Sequence, residues 1–444
     1  MRIKLGHPIP TSTLTELCKG NATVLSETVA THLATDSREI ERGDVFAALP
    51  GKNTNGELYV GEAKERGAAA ILHTDAISAL SSLAKAARRR LNANVIAVTG
   101  SVGKTSTKEL LRAVFSARGL VHATLDNQNN ELGVPLTLLS APSDTDFLIV
   151  EMGMRRRGEI AVLSAMTEPG TAVITAIGQA HLETLGSISE IRRAKYEITA
   201  GLPEDGLLFT GVGVTPPVEY KGTHALYPLS SKETETPSVF GIESGNNGVF
   251  FSIRFKRKRI ERLFVPALGK HMARNAALAS LVALTHGLSE KELREGLLLY
   301  KGISLREEKR DINGISVFLD CYNASPESMA AAAELLKAAK EASPSSHAYA
   351  LLGDMLELGA DASALHIAVG EIFGRLPIDG IAAFGNHKDD LLSGARMTGF
   401  RGLLSEDPQE LSNHLRRGDI LLVKASRGME GERLIAEMLR EGQG

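Results

Sequence analysis

The stretch from Asn94 to Thr107, reading NVIAVTGSVGKTST, constrains the fold of this chain more than any other. Asn94 to Thr99 is a short β-branched, apolar run, the composition of a strand buried on both faces of a parallel sheet. It runs into Gly100-Ser101-Val102-Gly103-Lys104-Thr105, and a helix is predicted from about Ser106 to Arg118. A buried strand, a glycine turn and a helix start together make an anion site. Glycines let backbone amides converge, the helix N-terminus adds partial positive charge, and the lysine supplies a full one. Thr105 is placed to offer its hydroxyl to Mg²⁺. Only two residues separate Gly100 from Gly103-Lys104, fewer than in the common phosphate-loop spacing. The buried strand and the helix that flank the turn make a nucleoside triphosphate the predicted ligand, over a bland turn with a solvated lysine.

A chain of 444 residues is too long for one core, so two or three domains are expected. Hydrophobic residues make up 43% and the net charge is −3, which fits a soluble globular protein and gives no electrostatic case for nucleic acid as main partner. Cys18 and Cys321 lie far apart with no metal-ligand spacing, so a reducing compartment is the simpler reading. The N-terminus MRIKLGHPIP has no apolar targeting core, and no apolar run approaches membrane-span length. The expectation is a cytoplasmic protein with no membrane insertion.

Residues 1 to about 88 are long enough for a small domain. Within them, Ser37 and Arg38 belong to a polar cluster that can fork to a phosphate, or form a capped turn with a surface arginine. Gly56 to Leu72 reads as a helix feeding a strand, and Ser81 to Arg90 as a solvated helix end and linker. The amide run that includes Asn129 and Asn130 is either a loop held by side-chain-to-backbone bonds or a site for a polar substrate. Phe147 to Met152 is another buried strand. Its Glu151 is a metal candidate, because phosphate-loop enzymes place an acid at the end of a neighbouring strand. Its alternative is a helix-capping acid.

A third strand, Ala172 to Ile177, leads to His181, just past a strand end where ligands gather in open α/β sheets. Ser187 to Glu190 forms a capping box that opens a helix through about Ala200. Lys195 sits on that helix, and a lone helical lysine is usually solvent-facing. Residues 205 to 265 read as a β-rich insertion. Its basic run Lys256 to Arg259 is a solvated edge, because no aromatic residues are interleaved for stacking on bases. His271 and Asn275 stand at i and i+4 on a helix from about Lys270 to Thr285, a shared face that also suits a capping histidine and a buried amide.

From about Ile303 a new unit begins. Ser316 to Leu319 is a strand ending at Asp320-Cys321-Tyr322-Asn323, and Ser325-Pro326 is an N-cap and N1 pair for the next helix. Ala348 to Leu352 leads into GDMLELG, with His366 on the following helix. Ile378 to Phe384 and Asp419 to Lys424 are further strands. Alternating strands and helices predict an α/β, doubly wound domain. The unit has no Gly-x-Gly-x-x-Gly, which argues against a second dinucleotide site.

Taken together, the stretches TGSVGKTSTKEL, NQNNELGVPLTLL, EMGMRRRGEIAVL, AIGQAHLETLGS, RRAKYEI, GKHMARNAALA, DCYNASPESM, LLGDMLELG and VKASRGME resemble the Mur ligases of bacterial peptidoglycan synthesis, in that family's order. The resemblance covers nearly the whole chain. The NNE-x-GVPLTLL and GDMLELG segments are most similar to the branch that joins D-alanyl-D-alanine to UDP-N-acetylmuramoyl-tripeptide. It implies three domains: 1–88 for the uridine nucleotide, 89–302 as the phosphate-loop ATPase with a mostly parallel sheet, and a Rossmann-like 303–444. It also implies an ATP-dependent amide ligase that works through an acyl phosphate and releases ADP and phosphate.

On that resemblance Gly100, Ser101, Val102, Gly103, Lys104, Thr105 and Ser106 cradle ATP. His271 and Asn275 line the adenine site, and Arg306, Asp320 and Asn323 reach the nucleotide from the last domain. Lys104, Glu151, His181 and Lys195 would carry catalysis. Thr105, Glu151, His181 and a carbamylated Lys195 would hold Mg²⁺ at two sites. Ser37 and Arg38 would meet the UDP moiety, Asn129 and Asn130 the muramoyl-peptide, and Asp354 to Leu358 the D-alanyl-D-alanine. No long heptad or apolar stripe suggests an obligate dimer, so a monomer is expected.

The sequence departs from the family's usual pattern at Ala176-Ile177-Gly178 (commonly Asn-Ile-Gly), Met272, Cys321, Ser325, Ala425 and Asn55-Gly56-Glu57 (commonly Asp-Gly-His). The last puts the uridine-side contacts in doubt. Rival readings are a sibling ligase that adds a single amino acid, a folylpolyglutamate synthetase, and a phosphate-loop regulatory module. The diaminopimelate-adding sibling carries Asp-Asn-Pro-Arg in its last domain, and this chain has none. Folate ligases lack a separate domain before the phosphate loop. A regulatory module would not need Glu151, His181 and Lys195 at three separate positions.

Overall fold

A computed structural model describes residues 1–51, 54–73, 75–245 and 247–439. Asn94–Thr99 forms a strand, as its β-branched run predicts, inside a six-stranded parallel sheet. The order across that sheet is Ala225–Pro228, Leu207–Thr210, Thr171–Ile174, Asn94–Thr99, Phe147–Glu151 and Val121–Ala123. Because Asn94–Thr99 pairs with Phe147–Glu151 on one side and Thr171–Ile174 on the other, the strand order reverses beside it. A crevice therefore opens beyond the strand C-termini.

The phosphate-loop helix spans Lys104–Phe115, not Ser106–Arg118. It starts early because Gly103, at φ +82°, turns the chain directly into the first helical residue. It ends early because Ala117 and Arg118 donate to the carbonyls three residues back, tightening the last turn. On one face of the sheet, Leu110, Leu111 and Val114 pack with Leu278, Leu281 and Val282 of the helix Lys270–Thr285 and Leu293 of Glu290–Leu298. On the other, Leu136 and Leu139 of Gly133–Ser140 pack with Leu163 of Glu159–Thr167. Burial on both faces is what a continuous apolar strand requires.

Residues 205–265 are β-rich, as expected. Two strands extend the parallel sheet, and Ser238–Gly245, Gly248–Phe255 and Lys258–Val265 form a separate antiparallel sheet. The run Lys256 to Arg259 turns the last hairpin at the surface, where Arg259 pairs with Glu233 and Glu261 at 2.7 Å each.

The N-terminal sheet has five strands, in the order Arg2–Pro10, Val29–Ala34, Val45–Ala47, Ala70–Leu72, Ala22–Val24. Ser81 to Arg90 is not a solvated linker. The helix Ala76–Arg88 buries Leu80, Leu83 and Ala84 in the same core as Leu136 and Leu139 of the helix Gly133–Ser140 on the central sheet. Arg88 donates to the carbonyls of Thr167 (2.6 Å) and Glu168 (3.1 Å), capping a helix end whose carbonyls have no helical partner. Only Arg89 and Arg90 are exposed. The third sheet runs Glu308–Ile312, Ile315–Asp320, Ile420–Lys424, Ala348–Leu352, Gly380–Ala383, Leu403–Ser405, parallel except for the first pair. Helices on both faces make it doubly wound. Ser325 caps the helix Pro326–Ala342 in a full capping box with Ser328.

A Cβ at Gly296 would stand 2.5 Å from Val114 Cα, so the helix Glu290–Leu298 meets the phosphate-loop helix backbone to backbone. Backbone cannot yield as a flexible side chain does. Gly296→Ala is expected to destabilise the central unit by about 1–3 kcal/mol, against alanine's better helix propensity. Differential scanning calorimetry reads this as a lower midpoint, and an unchanged midpoint would refute the close packing.

Candidate active site

The turn after Asn94–Thr99 is held open by the neighbouring strand end. Ser101 N donates to Ala176 O at 2.8 Å, and Thr175 Oγ1 donates to Val102 O at 2.5 Å. Ser101 Oγ both donates to Gly178 O and accepts from Gly178 N. Glycine is required twice here. A Cβ at Gly100 would lie 2.0 Å from Thr175 Oγ1, and one at Gly103 would lie 2.9 Å from Asn275 Oδ1. Lys104 folds back over the loop, its Nζ on the carbonyls of Gly100 (2.9 Å) and Ser101 (3.2 Å). Burial lowers its pKa, Glu151 raises it and Arg306 lowers it further.

Ser101, Val102, Gly103, Lys104, Thr105 and Ser106 line a cleft of about 1610 Å³ between the central and last sheets. His271, Asn275, Arg306, Asp320 and Asn323 line the same cleft, so every residue that the sequence assigns to the nucleotide except Gly100 faces one space. Asn275 is buried against the loop, with its amide on Met272 Sδ at 3.9 Å. His271 Nε2 meets Glu307 Oε1 at 2.7 Å. Burial pushes the imidazole pKa down, but Glu307 and then Asp320 outweigh it and the net direction is up.

The last sheet's unit reaches the loop through Arg306, which donates to Thr105 Oγ1 at 3.0 Å and lies 4.1 Å above the Tyr322 ring. Asp320 is held by Lys424, a buried lysine 2.9 Å from its carboxylate that also donates to Asn323 O. Glu327, at the start of the helix Pro326–Ala342, accepts from Gln179 N at 2.7 Å, which ties that helix to the central sheet. Lys424, Glu327, Glu307 and Tyr322 carried no role in the sequence reading. Tyr322 and Glu327 lie within DCYNASPESM and Lys424 within VKASRGME, while Glu307 only follows Arg306.

Deeper in, Glu151 is 1% exposed. Its Oε1 accepts from Asn129 Nδ2 at 2.7 Å, and its Oε2 is buried with no protein partner. Lys195 is not solvent-facing. It is fully buried, and its Nζ too has no partner. Burial first, then the Lys104 charge, drive its pKa well down, against the opposing pull of Glu151 and Glu197. The helix that carries it spans Ile188–Tyr196 and continues as a 3₁₀ turn through Gly201. The capping box at its start is half formed. Ser187 accepts from Glu190 N, while the Glu190 carboxylate pairs with Arg157 and Arg193.

His181, in left-handed backbone at φ +68°, stands apart from this cluster and pairs with Glu357 Oε2 of the last unit at 2.9 Å. Among the described residues no group of three or more His, Cys, Asp or Glu side chains forms a preformed metal cage.

The remaining sequence candidates lie outside the cleft. Asn130 Oδ1 accepts from Leu132 N and Gly133 N, so its side chain caps the helix Gly133–Ser140. Ser37 donates to Glu62 at 2.7 Å, and Arg38 is exposed and forks onto Asp36, the geometry of a capped turn with a surface arginine. Asp354 is buried and accepts from Asn386 N and His387 N. Leu358 is part of the core. His366 accepts from Met355 N at 2.9 Å and fixes the same loop; burial holds its pKa down.

Residues 30–114 match the Mur ligase family catalytic domain, 98–283 the Mur ligase middle domain and 306–427 the Mur ligase glutamate ligase domain. The UDP-N-acetylmuramoyl-tripeptide–D-alanyl-D-alanine ligase of Bacillus subtilis (strain 168) is 34% identical over 452 residues, covering 93% of this chain and 94% of that protein. The crystal structure of MurF from Acinetobacter baumannii superposes with a TM-score of 0.88 at 27% identity, covering 99% of this chain and 100% of the other. MurF ligase from Thermotoga maritima in complex with ADP gives a TM-score of 0.80 at 26% identity, over 92% of this chain and 97% of that one. With three family models spread along the chain and a relative 34% identical over 93% of it, the chain belongs to the Mur ligase family.

Proposed function

We propose that this chain is the ligase that joins D-alanyl-D-alanine to UDP-N-acetylmuramoyl-tripeptide at the expense of ATP, in peptidoglycan precursor synthesis. The observation that carries the reading is the convergence of Lys104, Glu151 and an unpartnered Lys195 behind a phosphate loop that Arg306 closes from the last unit. The names shared by relatives that cover nearly the whole chain support it. The terminal carboxylate of the peptide attacks the γ-phosphorus of ATP, and ADP leaves. The amine of the dipeptide then attacks the acyl-phosphate carbonyl, and phosphate leaves with the C–O bond electrons. The ammonium loses one proton before attack and a second after it.

A carboxylate approaching a triphosphate brings like charges together, so positioning and charge neutralisation carry the rate. The amides from Gly100 to Ser106 hold the phosphates, and Lys104 moves from its loop carbonyls to the β/γ oxygens. Arg306 joins Thr105 at the leaving side, so catalysis requires the last unit to be docked. Asn129 aims Glu151. His271 and Asn275 flank the adenine, and Asp320 and Asn323 are fixed toward the nucleotide by Lys424.

The orphaned Glu151 Oε2 and Lys195 Nζ fit a divalent cation beside Thr105. Thr105, Glu151, His181 and Lys195 as its carbamate would hold Mg²⁺ at two positions, where it supplies charge neutralisation. A buried, neutral amine is the form of lysine that takes up CO₂, which makes the carbamate chemically reasonable. Ser37 and Arg38 are assigned to the uridine diphosphate, Asn129 and Asn130 to the muramoyl-peptide, and the 354–358 loop to the dipeptide. The working division is 1–88, 89–302 and 303–444, in a monomer that acts in the cytoplasm. Among the described residues, no helix is long and apolar enough to cross a membrane.

Phosphate release from Mg-ATP is expected only when UDP-N-acetylmuramoyl-tripeptide and D-alanyl-D-alanine are both present, with a product heavier by one dipeptide. A response to a single amino acid instead would move the chain to a sibling ligase. Arg306→Ala is expected to lower kcat/KM for ATP by about 10²–10³-fold with the fold intact; a change under threefold would remove Arg306 from the nucleotide site. Lys195→Ala should cost about 10²-fold or more in kcat. Stripping CO₂ should reduce wild-type activity, and bicarbonate should restore it. Indifference to bicarbonate would leave Lys195 as an unmodified amine.

A further inference from the structure

Three of the five side chains between Gly353 and Gly359 are committed to holding the loop in place. Asp354 is locked onto the Asn386 and His387 amides, and Met355 and Leu358 are buried. Its backbone is pinned as well, with Met355 N on His366 Nε2 and Leu356 N on Ser426 Oγ. Leu356 and Glu357 are exposed, and of the two only Glu357 is charged. Its carboxylate is 55% exposed and points to the central unit, where Oε2 meets His181 Nδ1 at 2.9 Å. No protein donor on Oε1 is found among the described residues. Both partners sit in left-handed backbone, Glu357 at φ +65° and His181 at φ +68°. For non-glycine residues this conformation costs about 1–3 kcal/mol each and clusters at functional sites.

A rigid loop that aims one half-used carboxylate at the end of a catalytic-domain strand is a site for a cation that arrives from solvent. The incoming acceptor of the proposed reaction is a zwitterion whose ammonium must be held beside the acyl phosphate before it attacks. We infer that Glu357 binds the ammonium of the acceptor dipeptide and hands its nitrogen to the carbonyl from the side where His181 stands. The inference rests on the ligase reading above and corrects one part of it: within the loop, Glu357 and not Asp354 or Leu358 meets the dipeptide. Glu357 needs no rearrangement of the loop to do so, only exchange of one partner for another. Arg155, exposed on the turn after Phe147–Glu151, contributes positive potential at Glu357, the sign required by the dipeptide's other end.

The test is steady-state phosphate release by the full chain with D-alanyl-D-alanine varied. Glu357→Gln is expected to raise the dipeptide KM by about tenfold or more, as loss of a charge-assisted bond should. The KM values for ATP and the nucleotide-peptide should stay within twofold, and Glu357→Asp should fall between. Phosphate release with hydroxylamine, a small neutral nucleophile, should be unchanged in Glu357→Gln, which shows that the variant folds and forms the acyl phosphate. A dipeptide KM within twofold of wild type would overturn the assignment. So would a parallel rise in all three KM values or loss of the hydroxylamine reaction, which would make Glu357 a latch between units. Wild-type protein that never responds to the dipeptide would overturn the ligase reading itself, a result distinct from an ineffective Glu357→Gln.

Discussion

The hydrogen bonds from the Thr175–Gly178 segment to the phosphate loop set the geometry on which the rest depends. A turn with two glycines has no shape of its own; Thr175, Ala176 and Gly178 impose one. This explains why alanine suffices at 176, where related sequences commonly have asparagine. The position acts through its carbonyl, which accepts from Ser101 N, and a carbonyl is independent of the side chain. The same reasoning covers Ala425, whose methyl is accommodated because Gly353 faces it: a Cβ on Gly353 would lie 2.8 Å away. Ser325 keeps the helix cap that its position demands.

The last unit meets the central one mainly through polar contacts, Arg306 on Thr105, Glu307 on His271, Glu327 on Gln179 N and Glu357 on His181, with Leu268 the apolar side chain that packs across. Each polar contact is worth only about 1 kcal/mol net, because water replaces it when it breaks. An interface built this way opens and closes easily, unlike the shared apolar core that welds the N-terminal helix Ala76–Arg88 to the central sheet. The connector supports the same view. Gly302, Leu305 and Glu307 all have positive φ, at +76°, +58° and +51°. Strain of that kind in bulky residues marks a segment able to absorb a change of angle.

Local chemistry was legible in the sequence wherever one short pattern decides the outcome. The buried run before Gly100, the Ser325-Pro326 helix start and the helix Lys270–Thr285 all stand where periodicity and capping put them. Boundaries slipped where a single glycine or an i→i+3 turn decided the register, as at Lys104 and Phe115. The rest is long-range. Nothing near Arg88 announces that it caps a helix end about eighty residues on, and Glu190 leaves its own helix start for Arg157. The amide run around Asn129 and Asn130 is both of the things it could be: Asn130 caps a helix, while Asn129 aims the carboxylate of Glu151.

Among the described residues three lysines are fully buried, and they serve as controls for one another. Lys108 has Thr124 O at 2.7 Å and Glu109 at 2.9 Å. Lys424 has the Asp320 carboxylate and two carbonyls. Both have acceptors for their protons. Lys195 has no partner, and Lys104 beside it adds repulsion. An unpaired ammonium in that setting costs several kcal/mol, and the protein's way out is to lose the proton. A purely structural position would be filled more cheaply by leucine or methionine, which pack as well and desolvate no charge. The proposed use of its nitrogen, as a neutral nucleophile toward CO₂ or as a ligand beside Glu151, accounts for a buried, unpartnered Lys195 that packing alone does not explain.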